Sequence, residues 1–297
     1  MRLAGVAASL LLALPAAQAQ IPKINNFNLI WGDDFLGRQN TLPDSKIWTI
    51  DVGTSYPGGP PNWGTWEVQT YTNSPNNVRL SGTGSLQITA IKNATSGKWT
   101  SARIESKRAD FMAQPKGILR IQASLKIPNL GKGGAGYWPA FWTLGAAYRG
   151  NYWNWPAVGE IDIMENVNNA DRVWAVLHCG TQPGGVCNEP SGLGNNRNCP
   201  NSACVGNFHT YTVEVDRSKS PEAIRWYVDN VQFHQILETQ LPKETWKQTV
   251  QKPHFVLLNM AVGGAFPDAV AGQKTPLSTT LSGGILEVQY VAVYHTR

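Results

Sequence analysis

Charge is scarce in this chain: Asp, Glu, Lys and Arg make up 15% of its 297 residues, against 42% that are hydrophobic. That balance excludes an intrinsically disordered protein, which stays unfolded through high charge and few apolar residues. Triplet spacing is absent among the 29 glycines, which excludes collagen. After residue 14 no apolar run approaches the ~20 residues that a spanning helix needs. Helical periodicity is nearly missing as well, with one short candidate at 241–249. The formal charge is +5, but the basic residues are scattered singly and no nucleic-acid motif occurs, so nucleic acid is not expected as a partner. A Gly-x-Ser-x-Gly elbow is also lacking, which removes a serine-hydrolase reading.

What is present begins with Arg2, an apolar run from Leu3 to Leu14, and Ala17-Gln18-Ala19. This is the pattern of a cleavable secretory signal peptide. The expected organisation is a signal peptide over 1–19 and a single domain over 20–297, extracellular, free of a membrane anchor and monomeric. The four cysteines, Cys179, Cys187, Cys199 and Cys204, fit an oxidising compartment, and their spacings of 8, 12 and 5 match no common zinc pattern. Two disulfides are expected. Sequence leaves three connectivities open, with the local pairs 179–187 and 199–204 favoured. Asn93-Ala94-Thr95 is the only N-glycosylation sequon and suits a surface loop.

Strand signals dominate the rest. Residues 85–91, 118–127, 173–177, 210–215, 224–228 and 286–294 alternate apolar and polar, separated by Gly, Pro, Asn and Asp. Asp229-Asn230 reads as a tight hairpin turn. Segments 56–61 and 182–204 read as long ordered loops. The expected fold class is all-β, a sandwich of two antiparallel sheets.

The chemistry is concentrated in Gly159-Glu-Ile-Asp-Ile-Met-Glu-Asn166. On a regular strand Glu160 and Asp162 share a face, while Glu165 has the wrong parity. A β-bulge near Ile163 or Met164 would return Glu165 to the face of the other two. Close carboxylates repel, so one keeps its proton near neutral pH. A retaining glycosidase needs that division: an ionised nucleophile and a protonated acid. The outer two acids would be about 13 Å apart along the backbone, a gap that long Glu side chains can close. Glu160 is therefore read as nucleophile, Glu165 as acid/base and Asp162 as their intermediary. Trp63, Trp66, Trp138, Trp142, Trp153 and Trp155, mixed with amides and acids, favour a carbohydrate cleft over a greasy pocket.

These residues resemble glycoside hydrolase family 16 in its bulged, laminarinase-like form. The likeness extends to 31–35, 66–71, 100–104, 137–142, 208–211, 226–229, 258–264 and 288–294. It implies a concanavalin-like β-jelly roll with a concave cleft, and endo-acting cleavage of β-1,3-glucan. It also implies sugar subsites at Glu67, Gln69, Arg103, Trp138, Trp142 and His178. The loop Pro183–Glu189 looks most like secreted fungal members. Phe266 stands where a Trp is common. Gln289 stands where the family often has the Asp of a structural calcium site, so calcium is left open without support, and no cofactor or catalytic metal is expected. Endo-β-1,3-galactanases, mixed-linkage β-1,3(4)-glucanases and non-catalytic β-glucan lectins on the same sandwich are the alternatives.

Overall fold

The structure, a computed structural model, describes residues 20–296. The signal-peptide expectation at 1–19 lies outside the described residues. Two sheets face each other, one of ten strands and one of seven. The seven-stranded sheet runs from Leu193–Arg197 through Val173–His178, Glu160–Glu165, Tyr137–Gly145, His254–Val262 and Arg103–Ser106 to Trp48–Asp51. All its pairs are antiparallel.

Alternation explains how the sheets meet. In Ile118–Lys126 of the ten-stranded sheet, Leu119, Ile121, Ala123 and Leu125 turn inward, while Arg120 faces out and pairs with Glu214 at 2.9 Å. Ile161, Ile163, Met164, Phe141 and Leu258 of the seven-stranded sheet fill the opposite side of the same core. Burying such side chains supplies about 1.5–3 kcal/mol each. Among the bonds that tie the layers directly, the fully buried Trp226 donates its indole N–H to the Asp162 carbonyl at 2.9 Å.

All six alternating runs become strands. Asp229 and Asn230 both adopt positive φ, 48° and 64°, as the two central residues of a tight hairpin turn require. Three features depart from expectation. Gln69–Tyr71 pairs with Trp99–Ser101 in parallel, so the larger sheet is not purely antiparallel. Within the supposed loop 182–204, Leu193–Arg197 forms the polar edge strand of the smaller sheet. A short helix, Ala265–Ala271, joins the expected one at Lys243–Val250. No helix among the described residues is long and apolar enough to cross a membrane.

Candidate active site

The strand Glu160–Glu165 carries the bulge. Against Tyr137–Gly145, Asp162 faces Trp142 while Met164 already faces Phe141, so Ile163 is the extra residue. Against Val173–His178 the same slip falls between Asp162 and Glu165. Ile163 and Met164 can therefore both enter the core, and the three acids share the other side.

Each acid is held by aromatic or imidazole groups. Trp155 donates its N–H to Glu160 Oε2 at 3.1 Å, and Trp138 donates to Glu165 Oε1 at 2.8 Å. His178 lies directly across the ladder from Glu160. Its Nε2 stands 3.4 Å from Asp162 Oδ2 and 3.9 Å from Glu160 Oε1. Its Nδ1 pairs with Glu189 Oε2 at 2.7 Å. The donor atoms of Glu160, Asp162 and His178 lie within 4.8 Å of one another. With both imidazole nitrogens turned to carboxylates, the set reads as an acid–base array rather than a metal centre.

Burial and mutual repulsion control the protons. Burial, then the charge of Asp162, push Glu160 up to about 8, against the pull of His178 and the Trp155 N–H. The same two causes hold Glu165 well above the ordinary glutamate range. Burial raises Asp162, with His178 opposing. Burial would lower His178, but Asp162, Glu189 and Glu160 drive it well above its ordinary value, so it carries a positive charge among the acids. A centre of this kind can offer a proton from one side of a bound molecule and a carboxylate from the other.

The remaining expected site residues divide into those near the acids and those behind them. Trp138 and Trp142 alternate on the exposed side of Tyr137–Gly145 and are partly accessible. Trp142 donates to Asn259 Oδ1 at 2.8 Å, Asn259 donates to the Tyr71 hydroxyl, and Tyr71 donates to Glu67 at 2.8 Å. Glu67 is buried and accepts Thr65 and Gln69 as well. Gln69, expected to touch sugar, has no exposed surface: its amide serves Glu67 and the Val262 N–H, so it works from behind the wall. Arg103, expected at a subsite, is likewise buried. It pairs with Asp51 at 3.1 Å, and its guanidinium lies 4.7 Å from the Trp63 ring and 4.8 Å from Trp142. Its place is beneath the aromatic floor.

Sequence reasoning passed over Glu189, Asn259 and Tyr56, whose hydroxyl accepts Arg103 Nη2 at 3.0 Å. Glu189 had one available signal, as the only carboxylate between Cys179 and Cys204. Phe266 packs edge-on against Trp138 and Trp174, at 5.7 and 5.5 Å, forming a three-ring array beside Glu165. The cysteines pair as 179–187 and 199–204. Asn93 is exposed in a turn. Gln289, on the larger sheet, accepts the Ser124 hydroxyl through its amide oxygen at 2.7 Å. With an amide in place of a carboxylate, and its oxygen already taken by Ser124, this position offers calcium no charged ligand.

The family model for an XgeA-like, catalytic GH16 domain matches residues 66–213. A beta-glucanase of Rhodothermus marinus is 32% identical over 92% of this chain and 86% of its own length. The glucan endo-1,3-beta-glucosidase A1 of Niallia circulans is 31% identical over 92% of this chain, which spans 38% of that longer relative. The crystal structure of an endo-1,3-beta-glucanase from Streptomyces sioyaensis superposes with a TM-score of 0.91 at 48% identity, covering 94% of this chain and 99% of that one. None of these three relatives is fungal, so they do not carry the fungal likeness expected of the 183–189 loop.

Proposed function

The chain belongs to glycoside hydrolase family 16, and from that premise we propose that it is a secreted, endo-acting, retaining β-1,3-glucanase whose chemistry resides on the strand Glu160–Glu165. The observation that carries this reading is the bulge at Ile163, which gathers three acids on one side of a strand between two tryptophan N–H donors. The glucanase and endo-1,3-glucosidase names of the relatives support β-1,3-glucan as substrate.

The mechanism follows from the two environments. With Glu160 ionised, as it becomes when pH rises through about 8, and Glu165 still protonated, a Glu160 oxygen attacks the anomeric carbon while Glu165 gives its proton to the departing glycosidic oxygen, leaving a covalent glycosyl ester. Glu165, now a carboxylate, then takes a proton from water as that water displaces Glu160 from the same carbon. The outer acids differ in what touches them. Glu160 faces the His178 charge, which favours its ionised form; Glu165 is held by a neutral indole and is crowded by Asp162. Trp138, Trp142 and the Phe266 array would receive the flat C–H faces of sugar rings. Glu67 and Arg103 would act on the substrate through the network that fixes Trp142, and Gln69 through Glu67.

Release at Ala19, two disulfides and a glycan at Asn93 complete the proposed extracellular form, acting as a monomer on polysaccharide. The test is product analysis on laminarin, barley β-glucan and debranched β-1,3-galactan, beside a Glu160→Gln control. Oligosaccharides from laminarin that vanish in the control are expected. Release from galactan alone would overturn the substrate. Binding without turnover on all three would make the protein a lectin.

A further inference from the structure

We infer that Glu189 is a positioning residue for this reaction, fixing the orientation and charge of His178 so that His178 in turn favours the ionised nucleophile. The inference rests on the retaining mechanism proposed above, and it adds to the strand a group from a separate loop.

The side chain of Glu189 has no exposed surface, and both of its oxygens are used. Oε2 meets His178 Nδ1 at 2.7 Å, and Oε1 accepts the Cys179 N–H at 2.8 Å. Its main chain is fixed as firmly. Glu189 exchanges two backbone hydrogen bonds with Gly184, at 2.7 and 2.6 Å, and the Cys179–Cys187 disulfide closes the loop two residues away. The carboxylate is thus delivered to the imidazole by a rigid clip that begins at the residue after His178 itself.

The ring is enclosed on its other sides. Trp155 packs against it at 5.4 Å between centroids, and a Cβ on Gly192 would stand 2.9 Å from its Nδ1. The ring therefore cannot swing away, and Nε2 is left pointing at Asp162 and Glu160. Asp162 Oδ2 is buried and has no hydrogen-bond partner of its own, so the charge on Nε2 is what it faces. The charged groups around the imidazole are Glu160, Asp162 and, further off, Glu165 from the strand and Glu189 from the loop, with Arg103 adding its field at Glu160. A buried carboxylate on one ring nitrogen favours the imidazolium and fixes which face the other nitrogen presents. A carboxylate buried this deeply would be costly without the imidazolium as its partner.

Glu189→Gln keeps the shape and removes the charge. Its amide has one acceptor for two donors, Cys179 N–H and His178 Nδ1–H, so the ring loses its carboxylate. The expected result is a fall in kcat of about 10–100-fold with KM changed much less, the scale on which losing the carboxylate behind a metal-binding histidine acts. The acid limb of kcat/KM should move to higher pH, because Glu160 ionises less readily beside a neutral ring. Nitrogen NMR of the His178 imidazole supplies a readout independent of turnover: it should remain charged well above its ordinary range in the unaltered protein and titrate lower in the variant.

A folded Glu189→Gln variant whose pH profile and His178 titration are both unmoved would overturn the inference. So would a uniform loss of rate with the acid limb in place. If the variant does not fold, an ordinary His178 midpoint in the unaltered protein would be equally fatal. An unaltered protein inert on all the glucans, yet showing the shifted His178, would instead sink the glucanase reading and leave the clip intact.

Discussion

Glu160 and Glu165 differ by what their oxygens touch, and that difference predicts distinct failures on removal. Glu165→Ala should cut laminarin turnover by several orders of magnitude. An activated aryl β-glucoside with a good leaving group needs little acid help, so its glycosylation step should survive. Added azide should then restore turnover and yield a β-glycosyl azide, detectable by NMR; an α product would refute retention. Glu160→Gln should have a second effect, on stability. The folded chain holds the Glu160 proton up to about pH 8, whereas an unfolded chain releases it near about 4.3. Below the lower value both states are protonated and nothing is lost. As pH rises between the two, folding must retain a proton that the unfolded chain has given up, so stability falls. The amide removes that loss. Thermal melts should show Glu160→Gln equal to the parent near pH 4 and more stable at pH 8, by on the order of 1–3 kcal/mol or a few degrees. The acids were legible in the sequence because period-two parity is a strong constraint. Gln69 and Arg103 were not, since a motif shows which residues travel together but not which of them lies behind another.

The bulge acts at the scale of the strand, where register decides which side each residue faces. Inserting one alanine between Ile163 and Met164 adds a second unmatched residue and turns Glu165 toward the core. Activity should vanish, with the fold weakened. Deleting Met164 has the opposite sense, because Glu-Ile-Asp-Ile-Glu alternates regularly and keeps all three acids on one side. That variant should retain measurable laminarin cleavage in a reducing-sugar assay, while the insertion should show none. The alternating apolar strands were legible for the same reason as the acids. The edge strand Leu193–Arg197 was not, because its central residues Gly194, Asn195 and Asn196 face solvent and carry no apolar alternation. The parallel pairing of Gln69–Tyr71 was equally hidden, since two three-residue strands give no period to read.

At the scale of the whole molecule, the sandwich separates tasks between its sheets. The larger sheet supplies core and the Trp226 tether to Asp162, and the smaller presents the acids. Features on the outside should then be separable from catalysis. Intact-mass analysis of secreted material should find a chain starting at Gln20 and carrying a glycan that Asn93→Gln removes, with laminarin turnover unchanged. A start upstream of Gln20 would contradict the proposed processing.

The two indole hydrogen bonds to Glu160 and Glu165 have an optical consequence. Indole emission responds to the charge of the group its N–H touches, and two of the twelve tryptophans here are wired to the two carboxylates proposed to react. When one of those acids changes protonation, or a sugar displaces its partner, the colour and yield of that emission should change with it. The protein thus carries an intrinsic fluorescent probe at each end of the proposed reaction centre, so each step of the proposed cycle should be visible in a stopped-flow trace without any label.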